Sequence, residues 1–151
     1  MDEIDAKILK ILSERADVTA TEISSEVNLS VPAINKRIRK LQKEGTIRRF
    51  TVLTDASKVG KSIMAFILVV VQQGRGTDSL LEYVKSDADI LECFAVSGEY
   101  DYLLKVCAAD VQALEEKLLL MKRQKGVVKS HTMLSLMEYK FCPTVLPSVD
   151  E

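Results

Sequence analysis

The sequence predicts an α+β chain in which an N-terminal (winged) helix-turn-helix domain is followed by a ferredoxin-like β-α-β-β-α-β domain. Two observations predict it. Apolar residues recur at helical spacing through residues 1–45, whereas β-branched runs alternate with helical patterns from position 62 onward. A polar segment containing Gly60 separates the two parts. The expected organisation is a helix-turn-helix domain at 1–53, a hinge at 54–61, the ferredoxin-like domain at 62–142 and a C-terminal tail at 143–151.

The first two predicted helices each have one apolar face. In the first, apolar residues recur at i, i+4, i+7 and i+8, at Ile4, Ile8, Ile11 and Leu12. Asp2 or Asp5 suits its positive N-terminal end. Thr19 and Glu22 form a capping box that begins a short second helix.

A tight turn and a third helix follow. Asn28 tolerates a left-handed conformation at the turn, and Ser30 is expected to cap the third helix, with Pro32 in its first turn. Gly45 ends this helix, whose inward residues are Ile34, Ile38 and Leu41. Three helices with a tight turn between the second and third are the arrangement by which many proteins bind the major groove of DNA.

The third helix also lies in the most basic part of the chain. Residues 31–50 carry a net charge of +6, although the whole chain of 151 residues carries −1. Such a window suits phosphates, but on charge alone a solvated helix face is an equal expectation. Asn35 suits an adenine edge, and the cations suit phosphates. The residues expected to contact DNA are Ser30, Val31, Ala33, Asn35, Lys36, Arg37, Arg39, Lys40 and Arg48.

After Gly45, the stretch "TIRRFTVLT" alternates apolar and polar residues and predicts a strand that leaves the third helix. Arg48, at the start of this strand, is expected to make a wing-like contact with the DNA backbone.

The second domain begins with the β-branched run "IMAFILVVVQQ", expected as a strand buried on both faces. A helix capped by Thr77 or Asp78, two strands, a helix from Asp110 with Val111 facing inward, and a final strand "VVKSHTMLSLMEY" complete the pattern. Two helices cover only one face of the predicted four-stranded antiparallel sheet. Because the strands are apolar on both faces, we expect the bare face to pack on another subunit.

Several classes of function find no support in the sequence. The three cysteines lack metal-site or disulfide spacing, so no metal or cofactor is expected. The longest apolar run has nine residues and the N-terminus is acidic, which predicts a cytoplasmic protein without a membrane span. Neither a nucleophile–base constellation nor a phosphate-binding loop indicates an enzyme. The strands also lack the aromatic pattern that stacks RNA bases.

Four stretches resemble the Lrp/AsnC (feast/famine) family of transcription regulators: "DEIDAKIL", "LSVPAINKRIRKLQKEGTI", "ECFAVSGEYDYLLKV" and "GVVKSHTMLSLMEYK". Thr is commoner in the family at Ser130, and Asp at Glu99. The resemblance implies a sequence-specific regulator, not an enzyme, that binds double-stranded DNA. It also implies a homodimer that assembles further, often to an octamer, and an amino-acid effector that binds between dimers and changes assembly and DNA binding. An architectural DNA-compacting protein without a dedicated effector shares the same sequence features.

The resemblance further implies an effector site at Gly98, Glu99, Tyr100, Asp101, Thr132 and Ser135. A carboxylate of the loop would meet the ammonium group of an amino acid, and the glycine would let the ligand approach the backbone. Taken without the family, the same loop residues suit a simple turn. By alternation, Tyr102 is expected in the sheet core, and His131 is expected to line the subunit interface.

Overall fold

The computed structural model describes residues 1–72 and 77–148. The end of the first predicted strand of the second domain, at Gln73, and the end of the predicted tail, 149–151, lie outside the described residues. The chain divides into two compact units. One comprises residues 1–53 with the segment from Lys140 onward, and the other comprises residues 54–139.

The first unit is built from three helices, α1 (Glu3–Glu14), α2 (Ala20–Val27) and α3 (Val31–Lys43). Asp2 is the N-cap of α1, and the capping box of Thr19 and Glu22 at the start of α2 is confirmed. One residue from each helix forms the fully buried centre of the unit: Ile8, Ile23 and Ile34. The apolar spacing therefore identified the inward face of each helix correctly.

The turn between α2 and α3 is held by local contacts. Asn28 adopts the predicted left-handed conformation, with φ of +54°, and Leu29 packs on the helix core. The Ser24 hydroxyl donates a hydrogen bond to the Leu29 carbonyl, a contact that apolar spacing does not reveal. These contacts fix the angle at which α3 leaves α2.

The prediction of a strand after α3 is wrong. Residues 46–62 form no strand, and Phe50, Val52 and Leu53 are exposed. The alternating pattern is present in the sequence, but a strand is stabilised by hydrogen bonds to a neighbouring strand, and this stretch has none within the described chain. Arg48 consequently lies on an irregular segment of the described structure.

The second unit contains the six predicted elements in the predicted order. They are β1 (Ile63–Val71), α4 (Thr77–Ser86), β2 (Ile90–Ala95), β3 (Tyr102–Ala108), α5 (Val111–Lys122) and β4 (Val127–Leu134). The strands form one antiparallel sheet in the order β2-β3-β1-β4, which confirms the ferredoxin-like architecture. The final strand ends at Leu134, short of the predicted stretch.

The two faces of the sheet differ in burial. Ile67 and Leu104 are opposite each other on the face that packs against Leu80 of α4 and Leu114 of α5. The alternate residues of β1, Phe66, Leu68 and Val70, are only half-buried, because α4 and α5 pack on the other face and no helix of the described residues covers this one. The expectation that β1 is buried on both faces is therefore wrong for the single chain. We call this uncovered side the open face.

Val111 also departs from expectation, since it is 61% exposed at the start of α5.

The segment 54–61, predicted as a hinge, forms turns, and its last residue, Lys61, takes part in a network of ion pairs. Lys61 Nζ lies 2.8 Å from Asp89 Oδ2, and Lys117 Nζ lies 3.0 Å from that oxygen and 2.7 Å from Asp87 Oδ2. The hydrogen bond from Lys61 lowers the pKa of Asp89 below its ordinary value. The end of the predicted hinge is thereby fastened to the second unit.

The capping box of α2 predicts an acid-sensitive helix. Hydrogen bonds, first from the Thr19 side chain and backbone and then from Arg15, lower the pKa of Glu22 from 4.5 to about 2. The lowered pKa means that this stabilisation is complete above about pH 4.5 and is lost as the pH falls toward 2. We expect Glu22→Gln to weaken the dependence of the unfolding temperature on pH within that window. Glu14→Gln, at the exposed end of α1, is the control, and equal pH dependence in wild type and Glu22→Gln would contradict the prediction.

Candidate functional site

The outer surface of α3 presents polar and basic side chains. Asn35, Lys36 and Arg39 are exposed, and Val31 and Ala33 beside them are half-buried. Lys40 is also exposed and makes only a long pair with Glu44, at 3.9 Å. Within residues 1–72 and 77–148, Lys36 and Arg39 have no carboxylate at ion-pair distance. Their charges are therefore available to an external anion.

The N-terminal end of α3 is open as well. Ser30 occupies the N-cap position with an extended backbone, but its side chain makes no capping hydrogen bond, contrary to prediction. Its hydroxyl is instead exposed beside the first turn, which contains Pro32. Because the first amides of a helix lack intrahelical partners and the helix dipole is positive there, this end favours a phosphate.

Arg37 is less exposed than Lys36 and Arg39, and its guanidinium is turned toward α1. Its Nη1 donates to Asp2 Oδ2 at 2.6 Å and to Asp5 Oδ1 at 2.7 Å, and its side chain is 28% exposed. The side chain of Asp5 is only 4% exposed, so the guanidinium is drawn toward α1. The hydrogen bond from Arg37 lowers the pKa of Asp2. Asp2 and Asp5, three positions apart in "DEID", are the feature of the sequence that could have indicated this pairing.

A second group of predicted residues lies in the loop 96–101 between β2 and β3. Gly98 has φ of +115°, and a Cβ there would meet nothing within 4 Å, so glycine is required by the backbone conformation and the space above it is open. Glu99 is exposed beside it. Asp101 is used in the loop itself, because its Oδ2 accepts from the Val71 amide at 2.8 Å and its own amide donates to Val69 at 2.9 Å. Asp101 therefore fastens the loop to the end of β1.

Tyr100 packs against β4. Lys129 Nζ lies 5.5 Å from the centre of the Tyr100 ring, and the ring of His131 lies 6.5 Å away at an angle of 39°. His131 is opposite Leu68, and Lys129 is opposite Val70, so both belong to the open face. Lys129 was not predicted as a site residue, although its two-residue spacing from His131 places both on one face of a strand.

The last two predicted effector residues lie elsewhere in the chain. Thr132 is opposite Ile67 and shares the helix-covered face. Ser135 follows β4, and its amide donates to Met64 at 2.8 Å. Met64 and Val71 are seven positions apart on β1, which is roughly 23 Å of strand. A single chain therefore does not bring Ser135 to the loop that holds Gly98. Tyr102, in contrast, packs against the core as predicted.

Residues 1–72 and 77–148 contain no group of three or more His, Cys, Asp or Glu side chains placed to hold a metal ion. Among the same residues, no helix is both long enough and apolar enough to cross a membrane.

Comparison with known proteins identifies both units. Residues 64–145 match a family model described as the Lrp/AsnC ligand binding domain, and residues 1–48 match one described as winged helix-turn-helix DNA-binding. The HTH-type transcriptional regulator FL11 of Pyrococcus horikoshii is 36% identical over 140 residues, which cover 93% of this chain and 92% of that protein. The glutamate uptake regulatory protein of Zymomonas mobilis is 28% identical over 149 residues, covering 97% and 90%.

A solved structure shares the whole architecture. The transcriptional regulator from Neisseria meningitidis in complex with L-Met superposes with a TM-score of 0.92 at 28% identity, covering 96% of each chain. The chain therefore belongs to the Lrp/AsnC family and is a DNA-binding transcriptional regulator.

Proposed function

We propose that this protein is a sequence-specific transcriptional regulator whose assembly and DNA binding respond to an amino-acid effector. The observation that carries the proposal is the exposed face of α3, where Asn35 is accessible and Lys36 and Arg39 have no competing ion pair in the described chain. A buried or internally paired face would have no free groups to offer to DNA.

The DNA-binding half of the proposal assigns two roles to this surface. Asn35 has the amide geometry that pairs with adenine, and the small Ala33 suits contact with a thymine methyl group. Ser30, Lys36, Arg39, Lys40 and Arg48 are assigned to phosphates, which set the position of the helix without reading sequence. Arg37 is not assigned to DNA, because its guanidinium is bound to Asp5 of α1 and to Asp2, the N-cap of that helix.

We propose that a second copy of the chain covers the open face. Phe94 and Met133 are 51% and 42% exposed on this face, and Phe66 and Leu68 beside them are half-buried. A contiguous apolar surface of this kind on a β-sheet marks a subunit interface. A two-fold dimer of helix-turn-helix chains reads two half-sites, so the expected operator is pseudo-palindromic.

The effector half of the proposal rests on the loop 96–101 and its neighbours on β4. Glu99 is an exposed carboxylate for an ammonium group, and Lys129 is a cation for a carboxylate. Tyr100, whose ring lies beside Lys129, supplies an apolar wall. Because Thr132 and Ser135 lie away from this loop, they would take part only from another copy of the chain. The L-Met complex of the Neisseria meningitidis regulator supports an amino acid as the ligand class.

Thermal unfolding in the presence of each common amino acid tests the effector. A ligand at about 100 times its dissociation constant adds roughly 2.7 kcal/mol to the stability of the protein. We expect one amino acid, or a few related ones, to raise the unfolding temperature. The Glu99→Gln variant should lose this response, and Glu82→Gln, which removes an exposed carboxylate of α4, should keep it. Absence of a response to every amino acid would refute the effector and leave DNA binding intact.

Selection from a random-sequence duplex library tests sequence specificity. We expect the protein to enrich a pseudo-palindromic sequence, referred to below as the enriched duplex. If the protein binds DNA with a steep salt dependence but enriches no sequence, it is instead an architectural DNA-compacting protein.

A further inference from the structure

Three charged side chains join α1 to α3 across a long separation in sequence. Arg37 Nη1 bonds to Asp2, 35 residues earlier, and to Asp5, 32 residues earlier. Both distances, 2.6 and 2.7 Å, are those of strong charge-assisted hydrogen bonds. We call these residues the Asp2–Arg37–Asp5 cluster.

The cluster lies at the edge of the buried face of α3. Arg37 is three residues after Ile34 and four before Leu41, and both of these side chains are buried in the first unit. Apolar contacts are non-directional, so Ile34 and Leu41 alone tolerate small rotations of α3 about its axis. Hydrogen bonds are directional, and two of them from one guanidinium nitrogen to Asp2 and Asp5 restrict this rotation.

The charge of the cluster argues against a phosphate site. One guanidinium and two carboxylates together carry −1, so an approaching phosphate would meet net repulsion. Lys36 and Arg39, on the neighbouring outer surface, have no ion pair in the described residues and are the better phosphate ligands.

We propose that Asp2 and Asp5 are positioning residues for DNA recognition, which act through Arg37 to set the rotation of α3 and thus the direction in which Asn35 faces the bases. The inference rests on the proposed role of α3 in reading DNA. It assigns a function in sequence recognition to two acids at the start of α1, one of them its N-cap, although acidic side chains by themselves disfavour DNA binding.

The test uses the full-length protein, the enriched duplex and an unrelated mixed-sequence duplex. Asp5→Asn makes the protein more positive by one charge. If the acids position α3, its affinity for the enriched duplex falls by roughly tenfold, the size of one lost base contact. Affinity for the unrelated duplex then changes little, and the salt dependence is unaltered. If Arg37 is instead a phosphate ligand that the acids merely hold, both affinities rise and the salt slope steepens by about 0.9.

Further variants separate positioning from loss of folding. Global unfolding lowers both affinities together. Mispositioning instead lowers the ratio of the affinity for the enriched duplex to the affinity for the unrelated duplex. Circular dichroism reports the fold directly. Should Asp5→Asn fail to fold, Asp2→Asn carries the test, because Asp2 is exposed and Asn retains the N-cap acceptor for the Asp5 amide. Arg37→Gln is expected to lower the ratio with an unchanged salt slope, and Arg39→Gln to lower the slope by about 0.9.

The double variant Asp5→Asn/Arg37→Gln should reduce the ratio by less than the product of the two single effects, because both remove the same interaction. Independent effects, or an unchanged ratio in folded Asp5→Asn, would overturn the inference. A wild-type protein that enriches no duplex would instead refute the proposed sequence-specific function, so the two failures are distinguishable.

Discussion

Replacing Lys36 and Arg39 together with Ala should lower affinity for the enriched duplex by roughly tenfold or more per residue, the scale of a hydrogen bond to a charged group. Both side chains are exposed on α3 and lack ion pairs in the described chain, so the substitutions remove charge without disturbing the helix core. With each phosphate contact that is lost, binding also releases fewer counterions from the DNA. The slope of log affinity against log salt should therefore become shallower by about 1.8. Titration of labelled duplex at several salt concentrations measures both quantities.

Lys7→Ala combined with Lys10→Ala is the matched control. These lysines are exposed on α1 of the same unit, and their removal changes the net charge by the same amount. We expect little change in affinity or slope. Equal losses in the two double variants would show that overall charge, rather than the surface of α3, governs DNA binding.

Phe94→Asp should convert the proposed dimer into a monomer. Phe94 is 51% exposed on the open face, so the carboxylate is solvated in a single chain. In the dimer the same carboxylate would be buried without a partner, which should weaken association by about a hundredfold or more. Affinity for the enriched duplex should fall as well, since the two half-sites would no longer be bound by one connected pair of helices. Light scattering coupled to size-exclusion chromatography measures the molecular mass.

Val111→Asp is the control for this variant. Val111 is similarly exposed, at 61%, but it lies at the start of α5, on the opposite side of the sheet from the open face. Its replacement should leave the molecular mass unchanged. A Phe94→Asp variant that folds and retains the mass of the wild type would place the interface elsewhere.

The sequence was most informative where structure depends on neighbouring residues. Helix faces, the capping box at Thr19 and Glu22 and the left-handed Asn28 were all predicted correctly. Each depends on side chains within a few positions, and the apolar period selects one face of each helix. The order of strands followed too, because alternating helices and strands restrict the topologies available to a small sheet.

The errors and omissions depended on residues far apart in sequence. The stretch after Gly45 alternates like a strand, yet no strand within the described residues pairs with it. The sequence did not indicate that the Val71 amide, 30 residues earlier, donates to Asp101 Oδ2. The composition of the loop 96–101 suggested a site, whereas only the register of β4 showed that Lys129 lies beside it and Ser135 does not.

Arg37 shows the division most clearly. Its position on a basic helix, taken alone, predicts a phosphate contact, and the sequence by itself determined that α3 is amphipathic and carries a basic outer surface. Only the tertiary structure decided which of the cations belong to that surface, because packing brings the buried Asp5 of α1 against Arg37. Periodicity specifies a helix face to within one or two positions, whereas an ion pair depends on where a second helix places its charge.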